Sequence, residues 1–403
     1  MKQGLHGLLV LVLVGAVGLV SCRREPSEKK KSTKAGETPA VSKADLDIRT
    51  VPKTKDAPDY IRDAVKKAAT FFRNTQCEDG GWGVKGQSDV GITGLVVRAL
   101  ARAPEEIRKA NQDLIDKGAA HLVANRRDDG SISHEDKLVN YRTSIAARAL
   151  IAVDPEEYED TIAAAVNYTH GIQGADPENK AKFGSMGYGS DETKGDAMNT
   201  VEALQLLAES GLSKDDPAFE RAKVFLFRLQ NRDEGHPDEG VTTTNDGGAI
   251  YRSIRDVEGA SKAGTIKLPD GTEVPKSYGG ATYNLIRGLL FCGMEKDNPR
   301  VQAAYDWVRD HYSVTEHPEM GQQGLYYYYY SMIRTLELWG SPTIEVDAEK
   351  INWAEDLAKE LVARQNDDGS WANPEPRWWE STKSLATAYS VLSLNTCARA
   401  LEP

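Results

Sequence analysis

The fold is decided by residues 67–82, which read KAATFFRNTQCEDGGW. The chain returns to the same frame near its end, where residues 361–371 read LVARQNDDGSW. Both copies place a Gln, a Gly and a Trp at one spacing, Gln-x-x-x-Gly-x-Trp. Weaker copies recur at intervals of about 50 residues, which is the signature of a repeat architecture. The six anchor positions are Gln76, Arg126, Gln173, Gln230, Tyr312 and Gln365.

Each repeat contains two helices of different character, joined by a turn rich in Gly and Asp. The first helix has apolar residues three and four positions apart with charges between them, which indicates a one-sided amphipathic helix. The second is apolar on most sides and should be buried. We expect the first helices at 59–75, 105–125, 157–171, 217–230, 299–311 and 351–365. We expect the second at 89–102, 140–152, 196–209, 279–291, 325–338 and 380–396.

The pattern predicts an inner ring of buried helices inside an outer ring of half-polar ones. A linear solenoid would need atypical polar repeats at both ends, whereas here the first and last repeats are the two best copies of the motif. We therefore predict an all-α fold, a single closed (α/α)6 barrel, or toroid, of about twelve helices in six repeats over residues 57–403. In the fourth repeat Gly235 is the expected partner of Gln230, and residues 237–276 form an inserted loop.

The units Gln76-Gly80-Trp82 and Gln365-Gly369-Trp371 resemble the repeat of the squalene-cyclase and protein-prenyltransferase superfamily, whose terpenoid cyclase-like domains are α/α toroids. The Gln amide is expected to tie one helix end to the next loop, while the Trp ring covers the turn. This role is structural. The resemblance therefore implies the fold and leaves the chemistry to other residues.

The catalytic motifs of that superfamily are missing from the chain. Its cyclases use an Asp-x-Asp-Asp acid, its synthases use Asp-Asp-x-x-Asp, and its prenyltransferases hold zinc with Asp-x-Cys and a distant His. None of these runs occurs. We predict no metal and no cofactor, assign no catalytic residue, and leave open whether the protein is an enzyme.

Candidate ligand-binding residues lie where the inner helices begin, because those ends gather at one mouth of a closed barrel. Aromatic rings with polar handles are typical of apolar ligand sites. Two alternatives stay open: the aromatic residues simply fill the axis, and each Asp is a helix N-cap. The candidates are Asp89, Tyr141, Asp196, Tyr283, Tyr326, Tyr329 and Trp379.

The first 56 residues predict export and a lipid anchor. Residues 7–20 form an apolar or glycine stretch of signal-peptide length, too short to span a bilayer. It ends in Leu19-Val20-Ser21-Cys22, which resembles a bacterial lipobox, so we expect residues 1–22 to be a lipoprotein signal and Cys22 to be lipidated. Residues 23–56 have few large apolar side chains and are expected to form a disordered stalk. The expected location is the bacterial cell envelope, on the periplasmic side of the outer membrane.

The net charge of the chain limits the class of partner that we expect. The chain of 403 residues has a net charge of -11, which argues against a nucleic-acid-binding face.

The leading hypothesis is a membrane-anchored protein that binds an apolar or isoprenoid-type ligand in an axial cavity. One alternative is a non-catalytic scaffold or partner-binding lipoprotein, and another is an enzyme of other chemistry, such as polysaccharide processing. The oligomeric state and any pairing among Cys77, Cys292 and Cys397 are left open.

Overall fold

The computed structural model describes residues 40–189, 194–253 and 259–402. The predicted signal peptide, the lipidation site Cys22 and residues 23–39 of the predicted stalk lie outside the described residues. Among the described residues, no helix is long and apolar enough to cross a membrane.

The described residues form thirteen α-helices and three short antiparallel hairpins. The hairpins pair β1 (Gly83–Val84) with β2 (Gln87–Ser88), β3 (Thr265–Lys267) with β4 (Glu273–Pro275), and β5 (Ile344–Val346) with β6 (Glu349–Ile351). The helices are α1 (Asp59–Thr75), α2 (Val90–Ala101), α3 (Glu105–Ala110), α4 (Gln112–Ala124), α5 (Val139–Val153), α6 (Glu159–Gly171), α7 (Ala197–Glu209), α8 (Pro217–Leu229), α9 (Gly279–Phe291), α10 (Pro299–Asp310), α11 (Leu325–Trp339), α12 (Trp353–Ala363) and α13 (Lys383–Ala400).

The helices alternate between an outer and an inner layer, as the repeat predicts. The inner helices α2, α5, α7, α9, α11 and α13 are buried over most of their length, and α2 is buried from its first residue to its last. The outer helices bury one stripe only; in α1 it includes Ile61, Val65 and Phe72. The second outer helix is broken into α3 and α4 at Asn111, whose amide donates to the carbonyl of Ile107 (2.8 Å). Such a bond competes with the helix backbone, and it accounts for thirteen helices instead of about twelve.

Both layers form closed rings. Each inner helix packs against the next, and α13 packs against α2, where Asn395 Nδ2 donates to the carbonyl of Ala99 (2.8 Å). In the outer layer, Gln365 Nε2 donates to the carbonyl of Gly369 and to that of Ala64 in α1, both at 2.9 Å. The last repeat is therefore bonded to the first, and the predicted toroid is confirmed.

The structural role predicted for the repeat is also confirmed. Gln76 Nε2 donates to the carbonyl of Gly80 (2.9 Å) and to that of Leu114 in the next outer helix (3.2 Å). Gln173 and Gln230 each make the same pair of hydrogen bonds, one to the turn glycine and one to the next outer helix. Trp82 and Trp371 each donate their indole N–H to the carbonyl ten residues earlier, at 2.8 Å.

The motif requires glycine because the turn lies against the backbone of the next helix. Gly80 has φ +85°, and a Cβ at this position would lie 2.6 Å from the carbonyl oxygen of Lys117. The prediction for the fourth repeat is wrong: its equivalent glycine is Gly247, whose Cβ would lie 2.5 Å from the carbonyl oxygen of Ala303, and not Gly235. The inserted segment begins before this glycine and separates it from Gln230, which still bonds to it (3.0 Å).

The predicted stalk must be shortened, because residues 40–56 pack on the barrel. Val51 and Thr54 are buried. Thr54 donates its N–H to the carbonyl of Arg102 and its hydroxyl to that of Asn395, both at 3.1 Å. This segment therefore crosses the C-terminal ends of α2 and α13, opposite the mouth. The composition of the segment did not reveal these partners because they come from distant helices.

The three cysteines within the described residues are free thiols. Cys292 and Cys397 are buried, and Cys77 is half-buried.

We predict that Gln365→Ala lowers the free energy of unfolding by about 2 kcal/mol, because two hydrogen bonds are lost, one within the last repeat to Gly369 and one to Ala64 of the first repeat. Urea denaturation measures the change. The matched control is Gln112→Ala on the exposed face of α4, which should change the unfolding free energy far less. Equal losses in the two variants would contradict the closure role of Gln365.

Candidate functional site

The two acidic candidates are helix caps at the mouth. Asp89 accepts from the N–H of Ile92 (2.9 Å) and pairs with Arg142 Nη2 (2.7 Å). Asp196 accepts from the N–H and the side-chain amide of Asn199, at 2.9 and 2.8 Å. The structure therefore supports the N-cap alternative for both. Burial raises the pKa of the Asp196 carboxyl.

Three of the tyrosine and tryptophan candidates face the outer layer. Tyr329 donates its hydroxyl to the carbonyl of Val314 (2.5 Å), in the loop after α10. Tyr326 packs edge-on against Tyr329, with 6.0 Å between the ring centroids. Tyr283 packs against Tyr328 (5.8 Å), whose hydroxyl bonds to the same loop. The structure therefore does not bring Tyr283, Tyr326 and Tyr329 to the axis.

The last candidate, Trp379, lies on the rim in a short 3-10 turn over Arg377–Trp379. It is 67% exposed, and its φ of +67° is unusual for a bulky residue. Its neighbour Trp378 also has a positive φ and packs over Gly324.

In α11, the tyrosines that reach the axis each lie one residue after a predicted candidate. Tyr327 and Tyr330 of α11 pack against Tyr389 of α13, with ring centroids 5.7 and 5.2 Å apart. The hydroxyl of Tyr389 is hydrogen-bonded to that of Tyr141 in α5 (2.9 Å). Burial raises the pKa of Tyr141 and of Tyr389 well above 10, so both hydroxyls stay protonated. Of the predicted site residues, Tyr141 alone belongs to this group.

Solvent reaches this group of side chains through the mouth. Tyr141, Met198 and Tyr327 lie in the first turns of α5, α7 and α11, and each is partly exposed although the residues that follow it are buried. Asn284 Nδ2 lies 3.3 Å from both the sulfur of Met198 and the hydroxyl of Ser331, one turn beyond Tyr327. We call this group of side chains the axial cup and define it by Tyr141, Met198, Tyr327, Tyr330 and Tyr389.

A network of ion pairs fills the axis beneath the cup. Glu202 of α7 is 1% exposed and pairs with Arg287 of α9 (2.9 Å), Arg334 of α11 (2.8 Å) and Arg148 of α5. Burial alone would raise the pKa of Glu202, but the three guanidinium groups outweigh burial and hold that pKa far below its usual range. Glu209 pairs with Arg98 (2.8 Å) and with Arg148.

The predicted axial cavity is therefore replaced by a shallow cup over a filled axis. Two open surface cavities, of about 420 and 300 Å³, lie elsewhere. The first lies between α1 and α3 and includes Lys66, Arg73 and Glu106, and the second is formed by residues of the 171–182 segment. Neither contains a residue of the cup.

Two buried groups hold the rim in place. His317 donates from Nδ1 to the carbonyl of Gln323 and accepts at Nε2 from the N–H of Gly280, both at 2.8 Å. Burial lowers the pKa of His317 to about 4, so it is neutral. Glu380 accepts from the N–H of Tyr327 and the amide of Asn373, both at 2.8 Å. In the part of the chain that the structure describes, no group of three or more His, Cys, Asp or Glu side chains could hold a metal ion.

Sequence reasoning missed two recurring signals. One is a threonine in each of five inner helices, whose hydroxyl accepts from the N–H at the Trp position of the motif, as Thr93 does from Trp82 (2.9 Å). The other is an arginine five residues after that threonine. It occurs in three of the repeats, at Arg98, Arg148 and Arg287, and these arginines point into the axis.

Comparison with known proteins identifies the fold but does not identify an activity. No protein-family model matches the chain, and no curated protein matches it. Among solved structures, the chain is similar to a variant of the type II terpene cyclase MstE from Scytonema in complex with its substrate, geranylgeranyl dihydroxybenzoate. The TM-score is 0.52 at 14% identity, covering 85% of this chain and 99% of that one.

A second similar structure is the GH76A alpha-1,6-mannanase from Salegentibacter sp. HEL1_6, with a TM-score of 0.52 at 12% identity, covering 85% of this chain and 100% of that one. The chain thus has the α/α toroid fold of these structures. The fold occurs both in a type II terpene cyclase and in an alpha-1,6-mannanase.

We predict a pH-dependent contribution of Glu380 to stability. Burial raises its pKa from 4.5 to about 7, so the folded protein holds this proton more tightly than the unfolded chain does. Its contribution is fully present below pH 4.5 and is lost as the pH rises through 7. The free energy of unfolding of the wild type, relative to Glu380→Gln, should fall by up to about 3 kcal/mol over this range.

Denaturant titrations from pH 4 to 8 measure this difference. The control is Glu375→Gln, which removes a carboxylate from an exposed position on the same rim. A flat difference for Glu380→Gln would contradict the assignment of a raised pKa to this carboxyl.

Proposed function

We propose that this protein binds a small ligand with an apolar, isoprenoid-type portion in the axial cup. The observation that carries the proposal is the partial exposure of Tyr141, Met198 and Tyr327 at the mouth of an inner ring whose helices are buried over most of their length. Three helices present one aromatic or thioether side chain each to a common depression, and Tyr330 and Tyr389 form its inner wall. Large aromatic faces with a few polar groups are typical of sites for such ligands.

The fold likeness supports this ligand class. The MstE structure holds a geranylgeranyl-bearing substrate, and a toroid with a tyrosine-lined mouth offers an isoprenoid chain comparable apolar surface. The filled axis changes the geometry, however. An isoprenoid chain must lie across the cup, because the Arg–Glu network beneath Tyr330 leaves no apolar channel for it to enter.

The proposal is one of binding and assigns no turnover. Protonation of a polyene requires an acid that faces the ligand. Asp89 and Asp196 instead direct their oxygens to helix N-termini, and Asp89 is also held by Arg142. Neither carboxyl is therefore placed to donate a proton into the cup.

We predict that Met198→Trp blocks the cup, because the larger side chain occupies the space that an isoprenoid chain would fill. Titration calorimetry with geranylgeraniol as the probe should show binding by the wild type and at least a roughly tenfold weaker affinity in the variant. The matched control is Met294→Trp, at another partly exposed methionine in the loop after α9, which should bind as the wild type does.

Two outcomes would overturn this proposal. One is the absence of geranylgeraniol binding by the wild type, together with no apolar molecule in solvent extracts of the purified protein. The other is binding of alpha-1,6-linked mannose oligosaccharides, and not of geranylgeraniol, in a manner that Met198→Trp abolishes. That result would favour polysaccharide chemistry.

We also propose that the toroid is tethered to the bacterial cell envelope through a lipid on Cys22. The lipobox-like Leu19-Val20-Ser21-Cys22 supports this proposal. Because two or more acyl chains give stable anchoring, we predict that the wild type fractionates with membranes and takes up labelled palmitate in a bacterial host. Cys22→Ser should do neither, while Cys77→Ser, the control, should behave as the wild type. Membrane association that survives Cys22→Ser would contradict the tether.

A further inference from the structure

The ion-pair network under the cup carries an excess of positive charge. The connected group contains four arginines and two glutamates: Arg98, Arg148, Arg287, Arg334, Glu202 and Glu209. Its nearest charged neighbours, Arg102 and the Arg399–Glu337 pair, add two further arginines and one glutamate. A buried charge without a counter-charge is strongly unfavourable, so this excess calls for an anion.

Unused hydrogen-bond donors mark where such an anion would lie. Arg287 is 1% exposed and donates Nη2 to Glu202 and to Asn284, but Nε and Nη1 have no partner among the described residues. The hydroxyl of Tyr330, which is 2% exposed, has no partner there either. Buried donors without a partner point to an unseen water or ion.

These donors belong to one place in the fold. Tyr330 packs its ring against the guanidinium group of Arg334 (4.1 Å). Arg334 and Arg287 pair with the same oxygen of Glu202, at 2.8 and 2.9 Å, so Tyr330 and Arg287 meet at one point of the network. Burial and the neighbouring Arg334 lower the pKa of Arg287 to about 10, which is the response expected of an arginine that lacks a full counter-charge.

We propose that the toroid binds a small oxyanion on its axis, held by Nε and Nη1 of Arg287 and by the hydroxyl of Tyr330, at the floor of the axial cup. A phosphate-type group suits the site because a guanidinium edge donates two parallel hydrogen bonds to two oxygens of one anion. The site goes beyond the proposed apolar ligand, since it requires only the charge and donors of the axis. The anion is a free inorganic ion or the charged head of a ligand in the cup.

The test uses the purified protein in chloride buffer with inorganic phosphate as the probe at constant ionic strength. Phosphate bound by the folded state alone should raise Tm with the logarithm of its concentration above the dissociation constant. Arg287→Gln should weaken phosphate binding by roughly tenfold or more, and Tyr330→Phe by about fivefold. Two controls should keep the wild-type response: Arg309→Gln on the exposed face of α10, and Tyr329→Phe, whose hydroxyl faces the outer layer.

Tyr330→Phe keeps the test decisive even if Arg287→Gln does not fold. Because the Tyr330 hydroxyl has no partner, its removal should leave the stability without phosphate nearly unchanged, whereas Tyr329→Phe loses a hydrogen bond and should be less stable.

A second titration compares geranylgeranyl monophosphate with geranylgeraniol. Tighter binding of the phosphate ester, lost in Tyr330→Phe, would identify the anion as a ligand head.

Failure of this inference differs from failure of the proposed function. A wild-type protein that binds geranylgeraniol but shows no saturable effect of phosphate, and no preference for the ester, would overturn the anion site alone. Equal phosphate responses in Tyr330→Phe and Tyr329→Phe would also overturn it, because the effect would then lie elsewhere on the protein. Saturable phosphate binding by a wild-type protein that binds neither geranylgeraniol nor its monophosphate, and that yields no apolar molecule on extraction, would support the anion site and overturn the apolar ligand.

Discussion

The centre of the molecule depends on the ion pairs made by Glu202. One carboxylate from α7 binds arginines from α5, α9 and α11, so four of the six inner helices meet at a single buried charge. Removing it would leave three buried guanidinium groups, and among them Arg148 alone has an ion pair to a second carboxylate, Glu209, within the described residues. Unpaired buried charges cost several kcal/mol in proteins. The same contact fills the axis and therefore sets the depth of the cup. A toroid with an apolar axis would hold its ligand deeper.

The outer ring could be predicted from the sequence because its determinants are local. The Gln and the Gly of the motif lie four residues apart in the first and last repeats, and both contact the backbone of the next outer helix. A contact that uses backbone atoms needs no particular partner residue, so a single short motif specifies it. The fourth repeat shows the limit of this reasoning, since an insertion moved the glycine to Gly247 and the spacing was lost.

The candidate site was predicted less well because it depends on helix phase and on distant partners. In the tyrosine run, a shift of one residue turns a side chain by about 100° around the helix. The left-handed Gly324 starts α11 so that Tyr327 and Tyr330 face inward. The arginines of the axis were visible as charges in apolar helices. Their common partner Glu202 lies 54 residues from Arg148 and 132 from Arg334, and no local pattern connects them.

The closed ring also brings the two ends of the toroid together. The N–H of Lys55 donates to a carboxylate oxygen of Glu402 (2.9 Å), and Thr54 bonds to α13. The ring of six repeats can therefore in principle begin at any repeat. A circular permutant that joins these ends through a short linker and opens the chain near Gly240, where an added side chain would meet no neighbouring atom, preserves the ion pairs and repeat contacts described above. It would move the chain ends from the C-terminal ends of α2 and α13 to the loop after α8.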